Sequence, residues 1–189
     1  MGQKIIRYVV TILFLLNLTG AFLVYNKMLK ESYSMYSVIM RSTSENDKST
    51  DSSSDETFRS LYSTDMPSWL IDKCETIGFE KPTTVQNCAL SYIFGGKDVI
   101  LQAQTGSGKT LAYALPIISK IDPTRSAIQA LIIVPTRELG LQVSGVLKQL
   151  ASSSPNKITV MSLVEGSNNR RQQIWAVAEP PHIVVGNPR

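Results

Sequence analysis

A chain of 189 residues, 43% of them hydrophobic, has room for one domain or a little more and is too short for a long repeat array. Nineteen Lys and Arg against 15 Asp and Glu, with one His, leave a net charge of +4, which suits an anionic partner but is too small to identify one. Two cysteines, Cys74 and Cys88, with no Cys-x-x-Cys pair, speak against a structural zinc site and a disulfide scaffold, and they read as free, buried thiols in a reducing compartment.

Composition changes sharply along the chain. Residues 1–21 open with Lys4 and Arg7, run through an apolar stretch from Tyr8 to Leu18 and end in Thr19-Gly20-Ala21, the three parts of a secretory signal. The rival is an uncleaved anchor, because the apolar stretch extends to Tyr25, near the lower limit for a membrane span. From Phe22 to Ser44 the chain is basic, Ser-rich and acid-poor, with Lys27, Lys30, Arg41 and the single acid Glu31. That chemistry behind a signal peptide resembles a bipartite plastid-targeting leader. An acidic polar stretch follows, centred on Ser52-Ser53-Ser54-Asp55-Glu56, and too few apolar residues stand there to offset chain entropy. Residues 22–64 are therefore expected to be transit-like and then a disordered linker, and folding is expected from 65 to 189.

Helix and strand signals then alternate. Leu70, Ile71, Cys74 and Ile77 share helical spacing over 67–77, with Asp65 as the expected N-cap and Gly78 as the stop. A helix is predicted over 85–94, a strand over 99–101, a helix over 110–120 and a strand over 130–134. A helix over 137–150, a strand over 158–163, a helix over 169–178 and a strand over 182–185 complete the series. Continuous Val, Ile and Leu strands separated by helices imply parallel pairing with right-handed crossovers. The predicted fold class is α/β, an open parallel sheet with helices on both faces. Ligands of such sheets sit beyond the carboxyl ends of the strands, so the loops after Leu101, Val134 and Val185 should share one edge.

Between a predicted strand and a predicted helix stands Ala103-Gln104-Thr105-Gly106-Ser107-Gly108-Lys109-Thr110, the context a phosphate-binding loop requires. Gly106 and Gly108 allow backbone angles that turn amides toward phosphate oxygens at a helix N-terminus. Lys109 would reach the β- and γ-phosphates, and Thr110 would offer its hydroxyl to Mg²⁺. Upstream, Gly78-Phe79-Glu80-Lys81-Pro82-Thr83-Thr84-Val85-Gln86 ends in a glutamine whose amide can both donate to and accept from the N6/N7 edge of adenine, favouring ATP over GTP.

With Gln86 and the phosphate loop, Pro135-Thr136-Arg137-Glu138-Leu139 completes three ordered stretches that resemble the Q motif, motif I and motif Ia of DEAD-box RNA helicases. The resemblance covers about residues 61–189 and is strongest to plastid-targeted plant members. It implies a RecA-like domain, incomplete at its C-terminus, of an ATP-dependent RNA helicase. By the same resemblance Phe79, Pro82, Thr83 and Gln86 frame adenine, and Gln104, Thr105, Gly106, Ser107, Gly108, Lys109 and Thr110 hold the phosphates and Mg²⁺. Thr136 and Arg137 would contact the RNA backbone without reading sequence.

Three positions depart from that family. The aromatic that stacks on adenine falls at Leu61 by spacing, leaving Tyr62, Phe58 or aliphatic packing to replace it. A Gly-Gly pair near the RNA is Glu165-Gly166 here, and a Thr-Pro-Gly-Arg motif appears as Asn187-Pro188-Arg189. Arg170-Arg171 reads equally as an RNA contact or a solvated face, Trp69 and Trp175 as core, and His182 as non-catalytic for want of a partner. No Asp-Glu-Ala-Asp tetrad follows an apolar strand, so the chain is read as part of a longer enzyme and as inactive by itself. Two other readings stay open from the residues: another P-loop ATPase, of DNA helicase or transporter type, and a membrane-tethered nucleotide-binding module that touches the bilayer only if the N-terminal segment is retained.

Overall fold

Short aliphatic strands and amphipathic helices need one another for burial, and the chain is arranged so that each helix closes over a strand or another helix. The computed structural model describes residues 56–164 and 178–188, together with two short strands nearer the N-terminus. In chain order the elements are β1 (Tyr8–Thr11), β2 (Val38–Arg41), α1 (Phe58–Tyr62), α2 (Ser68–Thr76), α3 (Thr84–Phe94) and β3 (Val99–Gln102). They continue with α4 (Lys109–Ser119), β4 (Ala130–Ile133), α5 (Arg137–Ala151), β5 (Val160–Leu163) and β6 (Ile183–Gly186). The helix expected over 169–178, with Arg170, Arg171 and Trp175, lies outside the described residues, as do Glu165, Gly166 and Arg189.

Four strands pair in the order β1-β4-β6-β5, all parallel, with Ala130 and Val160 both opposite Ile183. The carboxyl ends of β4, β5 and β6 therefore share an edge, and the Val134 N–H donates to the Gly186 carbonyl at 2.9 Å. β3 pairs in parallel with β2 in a separate two-stranded ladder. Periodicity locates strands but says nothing of their partners, so the single edge expected for all three loops is seen directly for the β4 and β6 loops only. Both β1 and β2 come from the stretch set aside as leader.

Helix α3 packs on α4, α4 on α5, and α5 lies over β5 and β6. The core between them holds Leu70, Ile71 and Cys74 of α2, Leu90 of α3, Leu115 and Ile118 of α4 and Val143, Leu147 and Leu150 of α5, against Ile132, Ile183 and Val185. Trp69 packs partly buried against this cluster, as expected. Cys74 is buried, which pushes its thiol up to about 11, but Cys88 is exposed, contrary to the expectation of two buried thiols. It falls on the outer face of α3, where buried Ala89 and Leu90 point the other way.

Two boundaries differ from expectation. Pro67 rather than Asp65 is the N-cap of α2; its extended backbone and missing N–H suit a helix start without a side-chain cap. Residues 58–62, expected within the disordered linker, form α1. Thr57 and Ser60 cap it reciprocally, and Phe58 and Tyr62, four residues apart, are 0% and 4% exposed. Arg59 forks onto Asp72 at 2.6 Å and Glu75 at 2.8 and 2.9 Å, tying α1 to α2. The Tyr62 hydroxyl donates to the Asn87 carbonyl at 3.0 Å and to Asn87 Oδ1 at 2.6 Å, tying α1 to α3.

His182 is structural as well. Its Nδ1 accepts from the Thr159 N–H at 3.0 Å, while its own N–H and carbonyl join β5 and β4, so the ring pins strand register.

If α1 belongs to the domain, Phe58→Ala should lower unfolding free energy by about 3 kcal/mol. Urea unfolding followed by circular dichroism checks this, and a midpoint equal to that of the unsubstituted protein would return residues 58–62 to the linker.

Candidate nucleotide site

The site is built where the N-termini of two helices meet. The first is α3. Gly78, at φ 86°, ends α2, with the Phe79 N–H donating back to the Cys74 carbonyl at 2.8 Å. The chain then runs extended, and the Glu80 carbonyl accepts the Phe58 N–H at 3.1 Å. Thr83 caps α3: its Oγ1 accepts the Gln86 N–H at 3.2 Å, and Gln86 Oε1 accepts the Thr83 N–H at 2.9 Å. This reciprocal box needs Thr and Gln three positions apart, the spacing written in the sequence.

The second helix is α4, which starts from the phosphate loop. Its N-cap is Gly108 at φ 85°, and no side chain occupies the cap, so the first-turn amides face the loop. The two N-termini are then joined. Thr83 Oγ1 donates to the Ser107 carbonyl at 3.0 Å, and Gln86 Nε2 donates to the Gly108 carbonyl at 3.1 Å. A Cβ on residue 108 would lie 2.3 Å from Gln86 Nε2, inside van der Waals contact, so glycine is required for space as well as for its backbone angle.

Lys109 folds back over its own loop, donating to the Ala103 carbonyl at 2.6 Å and to the Gln104 carbonyl. Burial holds its ammonium below the usual lysine range. Ser107 Oγ is buried with no hydrogen-bond partner among the described residues. A cation, helix-terminal amides and an orphaned hydroxyl in one turn form an anion cradle, and a phosphate group would relieve the hydroxyl that the protein leaves unsatisfied. Toward Mg²⁺ this loop offers the Thr110 hydroxyl, and the described residues contain no cluster of three or more His, Cys, Asp or Glu that would hold a metal unaided. Tyr113, one turn further on and hydrogen-bonded to Thr110, is half-buried, and the loss of solvent around it pushes its phenol up to about 12.

The structure gathers Thr83, Gln86 and the loop 103–110 into one hydrogen-bonded network and adds detail that the sequence does not carry. Gln86 is 3% exposed and uses its oxygen and one amide hydrogen within the protein, which leaves one amide hydrogen and one lone pair outside these two bonds. Phe79 is 42% exposed and Pro82 is half-buried beside the cap. Phe58 and Tyr62, the aromatics considered for stacking on adenine, are both committed to the core, which corrects that expectation. Leu61 is 39% exposed, leaving aliphatic packing. The carbonyls of Glu80, Ala103 and Gln104 also take part, and no residue-type signal could have announced them, because every residue carries a carbonyl.

Thr136 and Arg137 stand apart from this network, at the end of β4. Thr136 caps α5 by accepting the Leu139 N–H at 3.3 Å. Arg137 is exposed, and among the described residues no carboxylate lies within ion-pair distance of it. The guanidinium fork is therefore open to an external anion.

Residues 83–189 match the family described as DEAD/DEAH box helicase. A DEAD-box ATP-dependent RNA helicase 58, chloroplastic, of Arabidopsis thaliana is 48% identical over 132 residues, 68% of this chain and 28% of that protein. The chain thus spans little more than a quarter of the length of this relative. Among solved structures, a DEAD box protein from the hyperthermophile Methanococcus jannaschii superposes with TM-score 0.61 at 30% identity, over 70% of this chain and 34% of that one. S. cerevisiae Dbp5 bound to RNA and ADP BeF3 gives TM-score 0.61 at 27% identity, over 71% of this chain and 32% of that one. With more than half of its residues matched to one family, and with that family's fold, the chain belongs to the DEAD/DEAH box helicases.

Proposed function

We propose that this chain forms part of an ATP-dependent RNA helicase, with ATP held by residues 79–86 and 103–110 and the RNA backbone held by Thr136 and Arg137. The observation that carries the reading is the joint between the α3 cap and the phosphate loop, made by Thr83 with Ser107 and Gln86 with Gly108. A base at the cap and a phosphate at the loop would be sensed by the same glutamine. Support comes from Dbp5, whose structure contains RNA and ADP BeF3 together.

ATP bound with Mg²⁺ supplies the phosphoanhydride bond whose hydrolysis the whole enzyme would use to release RNA. The residues of this chain prepare for it. Lys109 would hold phosphate oxygens in place of the Ala103 and Gln104 carbonyls, Ser107 would gain the partner it lacks, and Thr110 would offer its hydroxyl to the metal. The remaining hydrogen and lone pair of Gln86 would be matched by adenine, and a guanine edge would leave them mismatched. Arg137 places its planar fork against phosphates, which fixes position without sequence preference.

We also propose that residues 1–21 and the basic stretch behind them direct the protein to a plastid, a reading supported by the chloroplastic relative. Among the described residues no helix is long and apolar enough to cross a membrane. Mass spectrometry of the mature protein should find an N-terminus downstream of Ala21, and an intact Met1 would defeat the reading.

In the full-length protein, Gln86→Ala should reduce the preference for ATP over GTP by about tenfold in fluorescent-nucleotide titrations. Preference retained in that variant would favour a P-loop ATPase that does not read the base. Arg137→Ala should weaken RNA binding and reduce the slope of log affinity against log salt by about one. An unchanged slope would show that Arg137 meets no phosphate.

A further inference from the structure

Two polar residues face each other beside the candidate base-reading segment where neither packing nor helix propensity calls for them. Tyr62 lies in an aromatic cluster, its ring centroid 6.4 Å from that of Phe58 and 5.8 Å from that of Phe94. Packing alone would be met there by a third phenylalanine, because a buried phenol costs free energy unless its hydroxyl is paired. It is paired. The hydroxyl lies 2.6 Å from Asn87 Oδ1 and 3.0 Å from the Asn87 carbonyl, and its one hydrogen is shared between them. Asn87 follows Gln86 directly in α3, and asparagine is a poor choice for a helix interior. At the other end of α1 the Phe58 N–H donates to the Glu80 carbonyl at 3.1 Å. This short helix therefore splints residues 80–87 at both ends, and Thr83 and Gln86 lie between the two ties.

We propose that Tyr62 is a positioning residue for base discrimination: through Asn87 its hydroxyl fixes the rotation of α3 about its own axis and so sets the direction in which Gln86 presents its amide. This rests on the ATP reading above. The cap formed by Thr83 and Gln86 holds the end of α3, whereas the bond from Tyr62 to the Asn87 side chain acts off the helix axis and resists rolling. Gln86 is sensitive to such rolling, because its Oε1 and Nε2 are already committed to Thr83 and Gly108 and the side chain cannot swing to compensate. Hydrogen bonds weaken steeply as they bend, so a small roll degrades whatever the amide meets. The donors that would hold phosphate belong to α4 and its own loop, so the loss falls on the base.

The test uses full-length protein and fluorescent-nucleotide titrations, with ATP, GTP and inorganic triphosphate as competitors. Tyr62→Phe keeps the ring in the core and removes the hydroxyl. Its preference for ATP over GTP should fall about threefold, part of what one misaligned hydrogen bond costs, with the affinity for triphosphate unchanged. Asn87→Ala, which removes the shorter bond, should shift the preference in the same direction, and the two substitutions combined should go no further than Tyr62→Phe alone. In a Gln86→Ala background Tyr62→Phe should cause no additional change, because its effect runs through that glutamine. Should Tyr62→Phe fail to fold, Asn87→Ala, which leaves the aromatic cluster intact, is still expected to fold and to show the shift. An unchanged preference in either variant, a parallel loss of ATP, GTP and triphosphate, a further loss in the Gln86→Ala background, or failure of both variants to fold would overturn the positioning role. An unsubstituted protein with no preference for ATP would instead remove the reading on which the proposal stands.

Discussion

Two helix N-termini meet across residue 108, and the approach is close enough that a single methyl group would prevent it. Gln86 Nε2 donates to the Gly108 carbonyl at 3.1 Å, and a Cβ on residue 108 would fall 2.3 Å from that nitrogen. Everything at the candidate site follows from this contact. The glutamine is held in place by its own helix cap, so the phosphate loop is referred to α3 rather than left to its own turn. Because α3 is tied to α1 through Tyr62 and Asn87, and α1 to the chain ahead of the cap through Phe58 and Glu80, the region upstream of the loop is braced at both ends.

The bracing has an electrostatic counterpart. Lys109 sits in a partly desolvated turn with only carbonyl dipoles to accept its hydrogens, and burial disfavours its charge. Ser107 adds a buried hydroxyl without a partner. Each is a small unfavourable feature of the protein alone, and an anion in the turn would relieve both at once. Alpha-helical amides left uncapped at the start of α4 add a third. Sites that bind phosphate depend on such unsatisfied donors, because donors already matched inside the protein would gain little from a ligand.

Much of this was legible in the residues. The loop from Ala103 to Thr110 announces itself by spacing, the aliphatic runs of β4 and β6 by composition, and the cap of α3 by Thr and Gln three apart. What escaped has a common cause: it depends on contacts between distant positions. Phe58 and Tyr62 lie in a Ser-rich acidic stretch whose average polarity masks a five-residue helix, and only the core that receives them makes that helix stable. The exposure of Cys88 follows from how α3 is rotated, and the separation of β3 from β4, β6 and β5 follows from strand pairing, neither of which a local window records. Gln86 stands out in its segment as a candidate, but its partners are the Thr83 N–H and the Gly108 carbonyl, backbone groups that leave no mark in a sequence.

Two glycines show how differently the same requirement can be met. Gly108 is demanded twice, by a φ of 85° that side chains resist and by the glutamine nitrogen lying where a Cβ would go. Gly140 lies within a helix and is close-packed, a would-be Cβ falling 2.6 Å from Val164 Cγ1 and 3.2 Å from Val134 Cγ2. Substituting the first therefore strains backbone and contact together, whereas substituting the second raises only a question of which buried neighbour moves. Both positions lie where a helix N-terminus is drawn down onto a strand end or a loop, one at the phosphate turn and one at the turn carrying Arg137. In each case the absence of a side chain, rather than its chemistry, determines how closely a helix N-terminus packs on its neighbour.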